Sequence, residues 1–132
     1  IKDQFFGRAQ KLVDSINANT TCKATLNDLA DKKVLNDSIG NSHILTNATS
    51  VGMVPNTDNC IITDESVFRK DLIVSDVIYN PMETKLLSMA KSHGCDTFNG
   101  LYMLLYQGAE AFKIWTGKEM PVAEVKAKYF SN

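Results

Sequence analysis

The chain has 132 residues, of which 44% are hydrophobic, which suits one domain with its own core. Fourteen basic and fifteen acidic residues give a net charge of −1, so the basic surplus typical of nucleic-acid-binding and anionic-membrane proteins is absent. The longest apolar runs, such as Tyr102 to Tyr106, are far shorter than the roughly 20 residues of a membrane span. We therefore expect a globular protein that binds neither nucleic acid nor membrane.

The cysteines and histidines predict no metal centre. Cys22, Cys60 and Cys95 are odd in number and widely spaced, which argues against a disulfide framework and a zinc site. His43 and His93 are too far apart to form a ligand pair on one helix. We expect a reduced, cytoplasmic protein. The chain begins without Met, in a helical pattern and without features of a signal peptide, which we interpret as a cut through a longer protein.

The first half of the chain predicts two helices and two strands. Apolar residues recur at helical spacing from Phe5 to Ile16, as in an amphipathic helix. Residues 22–26 alternate between apolar and polar, like a short strand. A second helix is predicted over Asp31–Ile39 and ends at a glycine. His43–Thr46 is predicted to be a buried strand, and a loop rich in Gly, Pro and Asn follows over residues 47–59.

The next segment continues the alternation. After a weak helical turn at 64–68, a β-branched strand is predicted over Leu72–Tyr79, ended by Asn80-Pro81, because proline cannot donate to a sheet ladder. A helix over Thr84–His93 and a short strand over Cys95–Phe98 follow.

Two helices complete the chain, over Leu101–Trp115 and Val122–Tyr129, with Pro121 at the first position of the second. Strands that alternate with helices predict βα units and a parallel sheet in a layered α/β domain. Ligands of such sheets bind beyond the carboxyl ends of the strands. The sequence contains neither G-x-G-x-x-G nor G-x-x-x-x-G-K-[ST], so the predicted fold lacks a phosphate-binding loop.

Two candidate binding segments follow predicted strands. The segment N-A-T-S-V-G-M, at residues 47–53, combines small polar side chains with a glycine, which lets backbone amides approach a ligand closely. An ordinary turn would have the same composition. The segment D-V-I-Y-N-P, at residues 76–81, places the Tyr79 phenol and the Asn80 amide at a strand end. Purely structural roles explain these two side chains equally well.

A third candidate lies on one helix face, where Gly100, Met103 and Gln107 are spaced i, i+3 and i+7. Glycine permits close approach, Met offers an apolar surface, and Gln can both donate and accept hydrogen bonds. The alternative places Met103 in the core and Gln107 in solvent. No Ser, Cys or Lys lies in a recognisable nucleophile motif, so the residues themselves predict no catalytic group.

The sequence resembles the shikimate dehydrogenase family in three blocks that share the family's order and spacing. These blocks are N-A-T-S-V-G-M (47–53), D-V-I-Y-N-P-x-x-T-x-L-L (76–87) and N-G-L-Y-M-L-L-Y-Q-G-A-E-A-F-x-x-W-T-G (99–117). The match extends over about Ile44 to Tyr129. The opening K-D-Q-F-F (2–6) further resembles the quinate/shikimate dehydrogenase branch of the family.

The resemblance implies a two-domain oxidoreductase that transfers hydride between a nicotinamide dinucleotide and C3 of shikimate or quinate. The cofactor would be NAD, with NADP as the alternative. The family's catalytic Lys–Asp pair belongs to an N-terminal substrate domain, so this chain alone would hold no catalytic residue and be inactive. Residues 1–98 would form a three-layer, Rossmann-like parallel sheet that lacks the first strand and the glycine-rich loop. Residues 99–132 would form helices that pack toward the missing substrate domain.

The resemblance also implies site residues. Asp3 corresponds to the acidic group on the adenosine ribose. The other residues expected to contact the cofactor come from the two loops and the last long helix: Asn47, Ala48, Thr49, Ser50, Val77, Ile78, Tyr79, Asn80, Gly100 and Met103. Tyr79 and Gln107 are expected to bind the substrate.

Two further expectations concern partners and function class. The isolated chain is expected to self-associate through the apolar faces of its last two helices, and a homodimer is one arrangement open to the longer protein. A non-catalytic nucleotide-binding or interaction module of the same fold remains the alternative function. An upstream catalytic lysine and glycine-rich loop in the reading frame would favour the enzyme.

Overall fold

The computed structural model describes residues 3–130 and the side chains of residues 5–130. It forms two compact units, which divide between Ser42 and His43. The predicted domain boundary between residues 98 and 99 concerns the longer protein and stays a prediction.

The first unit contains the two predicted helices, α1 over Asp3–Asn19 and α2 over Lys32–Gly40. Asp31 precedes α2 in an extended conformation, and its carboxylate accepts a hydrogen bond from the Val34 amide at 3.1 Å. This bond satisfies one of the amide groups left free at a helix start. Both helices are confirmed.

The strand predicted over residues 22–26 is wrong, because these residues have no regular secondary structure. The Asn17 side chain holds this segment instead. Its Nδ2 donates to the Ala24 carbonyl at 3.0 Å, and its Oδ1 accepts from the Ala24 amide at 2.7 Å. One side-chain amide thus satisfies both backbone groups that a neighbouring strand would otherwise pair.

The second unit is an α/β fold with a parallel sheet, as predicted. Its elements are β1 (Ile44–Asn47), a 3-10 turn (Glu65–Val67), β2 (Ile73–Asp76), α3 (Lys85–Ser92), β3 (Asp96–Phe98), α4 (Leu101–Thr116) and α5 (Val122–Tyr129). The three strands pair in the order β1-β2-β3, with Ile44 opposite Ile73 and Ile73 opposite Asp96. Helix α3 connects β2 to β3, and α4 and α5 follow the sheet.

The core of this unit lies around the central strand β2 and helix α3. The most deeply buried apolar residues there are Leu72, directly before β2, and Val74, Leu86, Leu87 and Ala90. Thr84 precedes α3, where its side chain accepts a long hydrogen bond of 3.4 Å from the Leu87 amide.

Three predicted details need correction. Strand β2 ends at Asp76 rather than at Tyr79, since the Ile78 amide bonds the Asp76 carboxylate at 3.0 Å rather than a neighbouring strand. Strand β1 is not buried as predicted: Ile44 is 58% exposed, because β1 lies at the edge of the three-stranded sheet and only its last residue is buried. Pro121 occupies the cap position before α5 instead of its first turn.

Candidate functional site

A cleft of about 460 Å³ opens where β1 and β2 end. Two loops form its walls, one following each strand. The carboxyl ends of parallel strands are the usual place for ligands in such sheets. The cleft brings together six of the predicted site residues, and its lining consists of Thr49, Ser50, Met53, Val54, Val77, Ile78, Tyr79 and Asn80.

The cleft combines polar and apolar groups. Thr49 and Ser50 contribute hydroxyl groups on the first wall, whereas Val77 and Ile78 contribute aliphatic surface on the second. Tyr79 is 43% exposed, so its ring and phenol are accessible to a ligand. A few polar groups within a mostly apolar lining are typical of sites for organic cofactors.

A buried carboxylate, Asp76, lies where β2 ends and is only 1% exposed. Its Oδ1 accepts the Ile78 amide at 3.0 Å, and its Oδ2 accepts the Thr84 hydroxyl at 2.8 Å. The Asn47 side-chain amide donates to both carboxylate oxygens at 3.2 Å. The carboxylate thereby connects β1, the segment after β2 and the start of α3, and its burial is compensated by these donors.

Asn47 extends this network into the first wall of the cleft. Its Oδ1 accepts both the backbone amide of Thr49, at 3.1 Å, and its hydroxyl, at 2.7 Å. Its Nδ2 also donates to the Val51 carbonyl at 3.1 Å. The Asn47 side chain is therefore used inside the protein, beneath the loop. Asn47 and its exposed neighbour Ala48 do not line the cleft, and their predicted cofactor contacts stay predictions.

Gly100 packs directly against the second wall. Its amide donates to the Ile78 carbonyl at 3.0 Å. A Cβ added at Gly100 would lie 1.9 Å from the Val77 carbonyl oxygen, so only glycine fits here without displacing the backbone. The start of α4 is thus held against the segment that follows β2.

Three predicted residues lie apart from this cleft or outside the described side chains. Met103 is 53% exposed on α4, and Gln107, also exposed, donates its Nε2 to the Leu104 carbonyl at 3.2 Å. Neither residue lines the cleft. The Asp3 side chain lies outside the described residues. The binding roles of all three stay predictions.

Sequence reasoning did not single out Asp76 or Thr84. A signal was present, since Asp76 is the one charged side chain within the apolar run from Leu72 to Tyr79. A carboxyl group at the end of such a strand needs several hydrogen-bond donors. Their identity could not be read from the sequence, because Asn47 lies 29 residues away.

Two cysteines of the second unit have thiols with shifted pKa values. Burial raises the pKa of the Cys60 thiol, as it does that of Cys95. Over the described residues, no group of three or more His, Cys, Asp or Glu side chains could hold a metal ion. Nor is any described helix long and apolar enough to cross a membrane.

The whole chain is similar to one group of enzymes. Residues 100–128 match a sequence family described as the Shikimate 5'-dehydrogenase C-terminal domain. The shikimate dehydrogenase (NADP(+)) of Streptococcus uberis is 52% identical over 132 residues, which cover 99% of this chain and 45% of that protein.

Solved structures agree with this similarity. The crystal structure of shikimate 5-dehydrogenase from Listeria monocytogenes, in complex with shikimate and NAD, has a TM-score of 0.89 and 49% identity, covering 96% of this chain and 44% of that one. Quinate dehydrogenase from Corynebacterium glutamicum, in complex with NAD, has a TM-score of 0.78 and 34% identity, covering 96% and 43%. The chain therefore spans less than half the length of these relatives.

Proposed function

We propose, from the premise that this chain belongs to the shikimate dehydrogenase family as a counterpart of its C-terminal part, that it forms the dinucleotide-binding part of a shikimate or quinate dehydrogenase. The reaction would oxidise the C3 hydroxyl of the acid to a ketone, with a hydride passing to NAD(P)⁺ and a proton released. The observation that carries this proposal is the folding of the first two sequence blocks onto the two walls of one cleft, with Gly100 of the third block packed against the second wall.

The residues of the cleft fit a nicotinamide dinucleotide. Hydroxyl groups at Thr49 and Ser50 can bond the polar parts of the cofactor, and the aliphatic Val77 and Ile78 can pack against a planar ring. When bound, the dinucleotide would supply the hydride acceptor. This chain's own residues bind and orient it, while the proton-transferring Lys–Asp pair is proposed to lie in a preceding domain.

The domain organisation follows from this proposal. Residues 1–98 would belong to the dinucleotide domain, and residues 99–132 would form helices that pack toward a substrate domain. The assignment is supported by the large exposed apolar side chains of α4 and α5, among them Ile114, Trp115 and Tyr129. Contiguous patches formed by such side chains mark interaction surfaces.

For the cofactor, we propose NAD use at least as efficient as NADP use, with Asp3 on the adenosine ribose. A carboxylate accepts hydrogen bonds from both ribose hydroxyls and repels a 2′-phosphate. The curated relative is named for NADP(+) and the Listeria structure contains NAD, so the two cofactors must be compared directly. In the full-length protein, Asp3→Ala should lower kcat/KM for NAD more than for NADP. Asp14→Ala, on the same helix, is the matched control, and an unchanged ratio in Asp3→Ala would remove Asp3 from the ribose site.

For the substrate, we propose that Tyr79 and Gln107 contact the acid. Tyr79 is exposed in the cleft, and the exposed Gln107 amide carries donors and an acceptor for hydroxyl groups. Gln107→Ala in the full-length protein should raise KM for the acid with less effect on KM for the dinucleotide. Glu110→Ala, one turn further along α4, should leave both KM values unchanged. Equal effects of the two variants would contradict a specific contact by Gln107.

The decisive experiment is to purify the full-length protein and follow the absorbance of reduced nicotinamide with shikimate or quinate as substrate. Oxidation of either acid with NAD⁺ or NADP⁺ is expected, and the ratio of the two kcat/KM values assigns the preferred acid. Dinucleotide binding without turnover of either acid would instead favour a non-catalytic nucleotide-binding module.

A further inference from the structure

Asp76 stands out because its carboxylate is buried among neutral hydrogen-bond donors. Its partners are one side-chain amide, one hydroxyl and one backbone amide, from Asn47, Thr84 and Ile78. Each donor belongs to a different part of the unit. Asp76 is therefore the point at which these parts meet, directly beneath the cleft.

The first branch of the network reaches the first wall. Asp76 orients the Asn47 amide so that its nitrogen points to the carboxylate and its oxygen to Thr49. The same amide nitrogen donates to the Val51 carbonyl at 3.1 Å. The conformation of the turn over residues 49–51 thus depends on which way the Asn47 amide faces, and the carboxylate sets that direction.

The second branch reaches the opposite wall. The Ile78 amide bonds Asp76, while the Ile78 carbonyl accepts the Gly100 amide at 3.0 Å. Thr84 joins the same carboxylate to the start of α3. Two backbone bonds also join the walls, from the Val77 amide to the Asn47 carbonyl at 3.1 Å and from the Val54 amide to the Asn80 carbonyl at 3.5 Å. The side-chain bonds that converge on Asp76 add to these and hold the walls from below.

We infer that Asp76 is a positioning residue for the dinucleotide cleft: it contacts no ligand, and it holds the turn at residues 49–51 and the segment at residues 77–80 in the arrangement that binds the cofactor. This inference rests on the proposed function. It differs from a purely structural role, which would require the carboxylate for folding alone and would leave cofactor affinity unaffected in a folded variant.

The variant Asp76→Asn tests this role with little change in shape. One carboxylate oxygen becomes an NH₂ group, which cannot accept from Thr84 or Asn47. If the Asn47 amide keeps its direction, its NH₂ group faces the new NH₂ group and loses an acceptor. If the Asn47 amide turns over, its NH₂ group faces the Thr49 amide and the Val51 carbonyl loses its donor. Both outcomes disturb the first wall.

The matched control is Val74→Ala. Val74 lies two residues before Asp76 in β2 and is 0% exposed, so truncation weakens the same strand without touching the hydrogen-bond network. Both variants are made in the full-length protein. The measurements are the Kd of NAD⁺ and of NADP⁺ by titration, KM for shikimate, and Tm.

We expect Asp76→Asn to raise the dinucleotide Kd by about tenfold, since small misplacement of binding groups is sufficient for such a loss, while KM for shikimate changes less. Val74→Ala should lower Tm and leave the Kd within about twofold of the wild type. Thr84→Val removes a single donor to the carboxylate and should give an intermediate Kd; it replaces Asp76→Asn as the test if that variant does not fold.

Two results overturn the inference: an unchanged dinucleotide Kd in folded Asp76→Asn or Thr84→Val, or an equal rise in Val74→Ala. These outcomes are separable from failure of the proposed function. If the wild-type protein binds neither NAD⁺ nor NADP⁺, the proposed function fails and the positioning role fails with it. If the wild type binds and the variants bind equally well, only the positioning role is wrong.

Discussion

The contact between Gly100 and Val77 gives the sharpest prediction for stability. Gly100 has φ −77° and ψ 2°, a conformation open to any residue, so backbone strain does not explain a glycine here. Space does: an alanine Cβ would lie 1.9 Å from the Val77 carbonyl oxygen and 2.5 Å from its carbonyl carbon. We therefore predict that Gly100→Ala destabilises the second unit.

The magnitude follows from the geometry. Real Cβ contacts essentially never fall below 3.0 Å, so the start of α4 and the segment after β2 must separate by at least 1.1 Å (3.0 − 1.9). Overpacking of this kind costs about 1–3 kcal/mol. Losing the Gly100–Ile78 backbone hydrogen bond adds about 1 kcal/mol. We expect the free energy of unfolding to fall by about 2–4 kcal/mol.

Gly108 provides a matched control on the same helix. A Cβ added there meets nothing within 4 Å, so Gly108→Ala should raise the free energy of unfolding by about 0.5–1 kcal/mol through helix propensity alone. Urea denaturation followed by far-UV circular dichroism measures both variants. Gly100→Ala with wild-type stability would refute the close approach of α4 to Val77.

Three further predictions are simpler to test. Alkylation at pH 8 should modify exposed Cys22 first, then half-buried Cys60 and last buried Cys95, and mass spectrometry of the peptides reports this order. Because burial raises the pKa of the Cys60 and Cys95 thiols, the rates at which these two are alkylated should rise as the pH is increased toward 9. Asp31→Ala should cost about 1 kcal/mol through loss of the α2 cap, whereas Asp31→Asn should cost less, as urea denaturation will show. The isolated 132-residue chain should reduce neither NAD⁺ nor NADP⁺ with shikimate, because a missing general acid–base group alone lowers rates by about 10²–10⁴-fold; turnover above the buffer rate would place the catalytic group within these residues.

Local signals made the helices predictable. The apolar spacing of α1, the capping Asp31 before α2 and the Thr84 start of α3 are all contained within a few neighbouring residues. The same holds for the glycine that ends α4, Gly117, which has φ +69°. Such residues act on the backbone next to them, so their effect does not depend on the rest of the fold.

Nonlocal contacts explain what sequence reasoning missed. The alternation at residues 22–26 favours a strand, but a strand needs a partner, and the Asn17 side chain pairs Ala24 instead. The exposure of Ile44 depends on which strands flank β1. The convergence of Asn47 and Thr84 on Asp76 depends on strand order and on the connection through α3. The first two sequence blocks contain most of the residues that line the cleft, while the network beneath it became visible only in three dimensions.

The isolated chain is predicted to self-associate through its last two helices, α4 and α5. The exposure of their side chains shows which residues can form the contact surface. Leu105 of α4 is 3% exposed and therefore part of the core, whereas Trp115 of α4 is 82% and Tyr129 of α5 is 69% exposed. Ile114, at 79%, lies next to Trp115 on α4.

A few hundred Å² of such surface, at about 25 cal/mol per Å², is worth several kcal/mol on association. We therefore expect the isolated chain to form dimers at micromolar concentration in sedimentation velocity, and Ile114→Asp to return it to the monomer. Leu12→Asp replaces an equally apolar residue, 62% exposed on α1, and should leave the dimer intact. A monomeric wild-type chain would contradict self-association. A dimer that Leu12→Asp breaks and Ile114→Asp does not would contradict the assignment of the dimer interface to α4, because burial of the exposed α4 side chains is the proposed driving force.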